Sequence, residues 1–257
     1  MSFENVKYDV AVANRVLSEV GLATGVLASL GHVSVRVPEA PDRFIVKGRG
    51  YEMDALARMR PEDMIVCDLE GYKVEGPPGS SQCFEVKMHS CIYKMYPNVN
   101  SVVHVHPRFT VVMSVLQAAL VPMCQEGVQL VSKPLPVYPH VKTIQTDEEG
   151  MEVATLLGDS KAILLEGHGA ATTGSSASES VMNMLQLEEQ ARMNWYAYCA
   201  AGPNHRQIPA ESVAEMSGRT PLPDLPHFKE PLAERRPFSG GGGVWAYYTD
   251  LVSRDLK

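Results

Sequence analysis

The chain has 257 residues, 45% hydrophobic and 21% charged, with a net charge of −7 and a pI near 5.6. That is enough apolar material for one large globular domain, or a domain with a tail. The acidic balance argues against a nucleic-acid binder, which carries a basic face. Five cysteines (Cys67, Cys83, Cys91, Cys124 and Cys199), an odd number with no CxxC pair, argue against a disulfide framework or a structural zinc site and fit reduced thiols.

The opening MSFENVKYDV lacks a basic stretch leading into an apolar one, so no secretory leader is expected there. The greasiest stretch, Val20 to Leu30, is broken by Gly21, Thr24, Gly25 and Ser29. It falls short of the ~18 apolar residues that a membrane span needs. A cytoplasmic protein is the expectation.

Val10, Ala13, Val16, Leu17 and Val20 recur at helical spacing and predict one or two helices leading to Gly31. His32 to Val37 alternates with period two, as a half-buried strand does, and Arg43 to Lys47 returns as a second strand after a turn at 38–42. Met64 to Asp68 and Tyr72 to Val74 form a hairpin around Leu69-Glu70-Gly71. A loop rich in Gly, Pro and Ser at 76–81 precedes a helix from about Phe84 to Tyr96, stopped by Pro97. Ser101 to His106 reads as a strand, 107–120 as a helix, 151–157 as a helix, Ala162 to Leu165 as a buried strand, and 176–200 as one long helix. Strands alternate with helices, so the class is α/β or α+β. Pro203 to Pro237 holds seven prolines in 35 residues, too many for regular structure, and Gly240 to Gly243 then precede Trp245, Tyr247 and Tyr248. Residues 1–202 are expected to form the body. Residues 203–257 are expected to be an extension packing on that body or on a neighbouring subunit.

His104 and His106 lie two apart on a predicted strand, so both imidazoles leave one face while Val103 and Val105 point to the core. Such a pair is a metal site or two hydrogen-bonded core histidines. His168 adds a third imidazole at the end of a buried strand, between Gly167 and Gly169, where the backbone can turn tightly and approach a ligand. Three histidines with one open position are the pattern of a catalytic metal site rather than a structural one. Glu85 and His89 share a helix face four residues apart. They read either as an exposed polar pair or, because the helix leads directly into the histidine strand, as groups beside the metal that carry protons. Arg49 lies between glycines in Lys47-Gly48-Arg49-Gly50 and can present its fork to a carboxylate. A solvated loop arginine fits it equally well. Arg36, one strand earlier, has the same two readings.

Glu85-x18-His104-x-His106 followed by Glu166-Gly167-His168-Gly169 resembles the class II aldolase/adducin family, over about residues 10 to 200. The resemblance implies a three-layer α/β/α fold around a mixed, largely antiparallel sheet. It implies His104, His106 and His168 as ligands of one divalent ion per subunit, and Glu85 as acid or base. It also implies a homotetramer. Zinc is the default for three imidazoles, while manganese, iron or cobalt suits an oxygen-chelating substrate. Phosphate-binding members carry Gly-Asn-x-Ser at the first strand, a Thr/Ser-Gly turn, and Ser-Ser directly before the glutamate. Here those places hold Gly31-His32-Val33-Ser34 and Lys47-Gly48-Arg49-Gly50, and Ser80-Ser81 come three residues early. This argues against a sugar phosphate.

Gly31-His32-Val33-Ser34-Val35-Arg36, Pro41-Asp42-Arg43-Phe44 and Glu85-x3-His89 are similar instead to the decarboxylase branch. Lys47-Gly48-Arg49-Gly50-Tyr51 with Asp54-Ala55-Leu56-Ala57 is similar to dihydroxyphthalate decarboxylases of phthalate breakdown. What the resemblance implies is a lyase that takes a hydroxylated aromatic dicarboxylate to the monocarboxylate. Glu85 or His89 would donate the proton, Arg49 would hold the carboxylate that stays, and Tyr247 or a neighbouring aromatic would cover the ring. An aldolase or epimerase on a non-phosphorylated hydroxy-carbonyl compound is the alternative. A non-catalytic scaffold like the adducin head is a further one, against which the retained histidines stand.

Overall fold

The computed structural model describes residues 3–233 and 242–256. Gly240, Gly241 and Pro237, which entered the reading of the C-terminal segment, lie outside them.

The first helix is Phe3–Glu19 (α1), whose apolar stripe of Val6, Val10, Ala13 and Leu17 is buried. A 3-10 turn at Gly25–Leu27 leads to the strands His32–Val37 (β1) and Ala40–Lys47 (β2). Met64–Asp68 (β3) and Lys73–Glu75 (β4) follow, then the helix Val86–Met95 (α2) and the strand Ser101–Val105 (β5). Next come Arg108–Val115 (α3), the short strand Val137–Tyr138 (β6), Asp147–Leu157 (α4), Ala162–Leu165 (β7) and Gly169–Gly174 (β8). The long helix Ala177–Ala201 (α5) is followed by Ala210–Ser217 (α6), Pro226–Ala233 (α7) and Gly242–Val252 (α8).

Eight strands form one sheet in the order β4-β3-β2-β1-β5-β8-β7-β6. Every pairing is antiparallel except β6 with β7. Alternation along β5 splits the core. Val103 and Val105 join the cluster under α1, α3 and α5, while Val102 joins the cluster under α2 and α4. Ala162 and Leu164 of β7 go with the first cluster, and Ile163 and Leu165 with the second. The result is the expected three-layer α/β/α arrangement, with both faces of the sheet covered.

One strand was not anticipated, and one expectation needs correction. The segment Gly169-Ala170-Ala171-Thr172-Thr173-Gly174 is a fully buried strand, although nothing in its sequence alternates. Its residues are small because α5 packs directly on it: a Cβ on Gly174 would lie 2.6 Å from the Ser180 amide nitrogen. The proline-rich stretch is also more regular than its composition suggests. Pro209 stands at the N-cap of α6 and Pro226 opens α7. In the first turn of a helix the missing N–H costs nothing. Among the described residues of this stretch, only Pro231 sits in the interior of an α-helix.

The extension returns to the body through α8, whose Trp245, Tyr248 and Val252 pack with Leu256 against the α1 side of the core. Arg15 of α1, 5% exposed, ties the layers together. It donates to the carbonyls of Met59 at 2.6 Å and Val252 at 2.9 Å and pairs with Asp255. All five cysteines are unpaired, and no helix among the described residues is long and apolar enough to cross a membrane.

Candidate metal centre

Antiparallel pairing sets the first two imidazoles side by side. His104 on β5 stands opposite His32 on β1 and opposite Ala171 on β8. Both rings therefore leave the α2/α4 face of the sheet, and both are buried. His106 lies one residue past the end of β5. Its Nε2 is 3.2 Å from the His104 Nε2. The third imidazole comes from the β7–β8 hairpin, which closes in three residues, Glu166, Gly167 and His168, with Leu165 paired to Gly169. Gly167 takes φ +67° to make that turn. Gly169 serves close approach instead: a Cβ there would lie 2.4 Å from the Val105 carbonyl oxygen and 3.1 Å from both the His104 and His106 rings.

Glu85 completes the group. It occupies the N-cap position immediately before α2, rather than the helix itself. Its carboxylate is 2.9 Å from His104 Nε2 and 3.5 Å from His168 Nε2, and Oε1 accepts from the Ile144 amide at 3.3 Å. One ligand atom from each of Glu85, His104, His106 and His168 lies within 4.8 Å of the others. The sequence placed Glu85 near the three histidines only through helix packing, and the structure brings all four together.

This donor set fits a divalent cation. His104 Nδ1 lies 3.0 Å from the Ala170 carbonyl oxygen. The carbonyl can only accept, so Nδ1 carries the proton and the Nε2 lone pair faces the cluster. Burial, and then the neighbouring His104 and His168 rings, pushes the His106 pKa down to about 3, which keeps its lone pair free. Burial lowers His168 in the same direction. For Glu85 burial acts upward, but His104 by charge and hydrogen bond, His168 and the Ile144 amide outweigh it and hold the carboxyl near 2. One carboxylate and three imidazoles converging at this spacing are ordinary ligands for zinc or a neighbouring transition metal. The residues do not discriminate among those metals.

A family model described as Class II Aldolase and Adducin N-terminal domain matches residues 8–195. The chain belongs to the class II aldolase/adducin family. Curated relatives include a 3,4-dihydroxyphthalate decarboxylase from Terrabacter sp. (strain DBF63), 32% identical over 88% of this chain and 92% of that protein. Another of that name, from Arthrobacter keyseri, is 29% identical over 84% of this chain and 85% of that protein. Among solved structures, the L-fuculose 1-phosphate aldolase of Glaciozyma antarctica PI12 superposes with a TM-score of 0.74 at 22% identity, covering 97% of this chain and 89% of that one. That likeness establishes the class II aldolase fold.

The remaining expected residues are placed unequally in this family frame. His89 is on α2, fully buried, with its ring centroid 4.6 Å from that of His32. His32 is in turn 5.4 Å from His104. Arg49 stacks on Phe84, next to Glu85, at 4.5 Å, and pairs through Nε with Asp54 at 3.3 Å. Arg36 is placed otherwise. Its guanidinium donates to the carbonyls of Val99, Pro41, Tyr93 and Tyr96 and covers the Tyr93 ring. Those donors hold the frame together and are not turned toward the cluster. Tyr247 lies on α8, outside α1, 61% exposed, on the sheet face opposite the histidines. Within one chain it does not meet them.

Three further residues were not named as site residues from the sequence, although His32 and Lys47 lie in the motifs that carry the resemblance. His32 stands beside His104 with neither ring nitrogen hydrogen-bonded. Lys47 is fully buried with Nζ 2.6 Å from Asp54, and with Arg49 it acts electrostatically on His32. Glu188, from α5, accepts from the amides of Phe109 and Thr110 at 2.9 Å each and so caps α3, which begins two residues after His106. His32 had a signal, a histidine two residues before Ser34 on the same strand face. Lys47 and Glu188 had none that sequence spacing shows.

Proposed function

We propose that this chain is a metal-dependent carboxy-lyase acting on a hydroxylated aromatic dicarboxylate, and specifically that it converts 3,4-dihydroxyphthalate to protocatechuate. What carries the reading is the surroundings of the histidine cluster. Where a sugar-phosphate site offers small hydroxyl and amide donors, here Arg49, the buried Lys47 and a second pair of buried imidazoles, His32 and His89, adjoin the metal ligands. Cationic and imidazole donors suit planar carboxylates. The two decarboxylase relatives, matched over more than four-fifths of the chain, support the same substrate class.

Loss of CO2 leaves an electron pair on a ring carbon, and a divalent ion held by His104, His106 and His168 would supply Lewis-acid stabilisation of that pair. Arg49 binds the carboxylate that is retained. Its stacking on Phe84 and its bond to Asp54 fix the direction of the guanidinium. Glu85 and His89 are the two groups able to carry the proton that replaces CO2. Burial of the cluster excludes water from the ring carbon. In this reading residues 1–202 are the catalytic unit of a cytoplasmic homo-oligomer and 203–257 an extension. The test is incubation of the purified protein with 3,4-dihydroxyphthalate, following CO2 and protocatechuate before and after chelator treatment. Chelator-sensitive release of both is expected. Retro-aldol cleavage of hydroxy acids without CO2 release would replace this reading with the aldolase one.

A further inference from the structure

Behind the cluster lies a hydrogen-bond chain that holds none of the metal ligands. Tyr93 Oη is 2.7 Å from Ser34 Oγ, and Ser34 Oγ is 2.6 Å from His89 Nδ1. All three residues are fully or almost fully buried. Ser34 comes from β1, and His89 and Tyr93 come from successive turns of α2, so the chain exists only because α2 packs on that strand.

Its direction follows from counting protons. Ser34 has one hydroxyl hydrogen for two neighbours. If His89 Nδ1–H donated to Ser34 and Ser34 to Tyr93, the phenol proton would need a third acceptor, and no hydrogen bond among the described residues offers one. A buried O–H without an acceptor keeps its full desolvation penalty. In the other direction the phenol proton is satisfied and only the outer nitrogen of His89 is left open: Tyr93 donates to Ser34, and Ser34 donates to Nδ1 of His89. The imidazole proton then sits on Nε2. That Nε2 is buried and has no partner among the described residues, and the same is true of both nitrogens of His32 beside it.

We propose that His89 is a fixed hydrogen-bond donor, that its Nε2–H together with the adjacent His32 ring receives an anionic oxygen of the substrate, and that Ser34 and Tyr93 are the positioning residues that hold it in this tautomer. The proposal rests on the decarboxylase reading only in naming that oxygen as a carboxylate oxygen. It also divides the labour between Glu85 and His89. For His89 to give up its Nε2 proton and stay neutral, Ser34 would have to protonate Nδ1 and Tyr93 would have to reprotonate Ser34. That would leave a phenolate in a site where burial already pushes the tyrosine pKa up. Proton delivery therefore falls to Glu85, which is ionised at rest and takes the proton from a substrate hydroxyl before passing it to the ring carbon, and His89 binds.

The test uses the full-length, zinc-loaded protein labelled with 15N-histidine, with ring nitrogens correlated to ring protons and His89 assigned by its loss in His89→Gln. A bare Nδ1 and a protonated Nε2 are expected, with the Nε2–H resonance moving downfield when phthalate, an unreactive dicarboxylate, is added. Ser34→Ala should admit the Nδ1–H form and weaken phthalate binding roughly 10-fold or more, as loss of one hydrogen bond to a charged group does. Ser34→Thr should restore both. A wild-type spectrum showing Nδ1–H overturns the proposal without any variant, as does a Ser34→Ala protein with unchanged tautomer and phthalate affinity. The outcome is separable from the activity. Nε2–H without CO2 release from dihydroxyphthalate would remove the decarboxylase reading and leave the tautomer lock standing. Nδ1–H with CO2 release would do the reverse.

Discussion

Gly169→Ala is the sharpest probe of how the fold holds its ligands. Glycine is not needed there for a left-handed backbone. It is needed because the added methyl would lie 2.4 Å from the Val105 carbonyl oxygen and 3.1 Å from the rings of both His104 and His106. An unstrained carbon–oxygen contact is about 3.3 Å, so the β5 and β8 backbones must separate by roughly 0.9 Å. That movement falls at Val105–Ala170, the last rung of the β5–β8 ladder before the cluster. Overpacking of this kind costs about 1–3 kcal/mol, and a clash with backbone rather than a flexible side-chain end belongs near 3. For a chain of this size that is a fall in Tm of roughly 6–12 °C. Two of the three imidazoles are pushed at once, so metal affinity should fall on the order of 10- to 100-fold, as when the support of a ligand is lost. The assay is metal content after dialysis against graded chelator, read beside thermal unfolding of the metal-free protein. A Gly169→Ala variant that keeps its metal and its Tm like the wild type would refute the claim that this glycine sets the ligand spacing.

Two further outcomes follow from the same geometry. Arg36→Met removes the donor to four backbone carbonyls and should cost about 3 kcal/mol in urea unfolding; a large loss of phthalate affinity in a fully stable variant would instead make Arg36 a binding residue. Glu149 caps α4 with Thr146, and the Gln145 amide, Lys142 and the Thr146 amide hold its carboxyl near 2, below its ordinary 4.5. A depressed acid stabilises above its unfolded pKa and loses that contribution as pH falls through the folded one. Glu149→Gln should therefore cost about 1 kcal/mol at neutral pH, with the gap to wild type closing between pH 4.5 and 2. A gap independent of pH, measured by denaturant unfolding across that range, would show that the cap does not depend on charge.

Much of the site was legible before any fold was known. His104 and His106 share a face because strand side chains repeat every two residues, and His168 between two glycines announced a turn against a ligand. Local pattern also placed β1, β5, β7 and α5 within a few residues of their observed bounds. The misses have a common cause. The β8 segment, Gly169 to Gly174, looks like a loop because its residues are small, and they are small because a helix from later in the chain rests on them. Pro209 and Pro226 look like breaks in regular structure until their places at helix starts are known.

Composition and spacing by themselves pointed to three imidazoles suited to one cation, on an α/β frame, and left Glu85 with two readings. Only the tertiary structure decided what surrounds them. Strand register set His32 opposite His104, and packing of α2 on β1 joined His89, Ser34 and Tyr93. Arg36, equally promising as a sequence position, was turned into the frame. Periodicity says which face a side chain leaves from. Which other side chains meet it there depends on contacts between residues far apart in sequence, and no local rule encodes those.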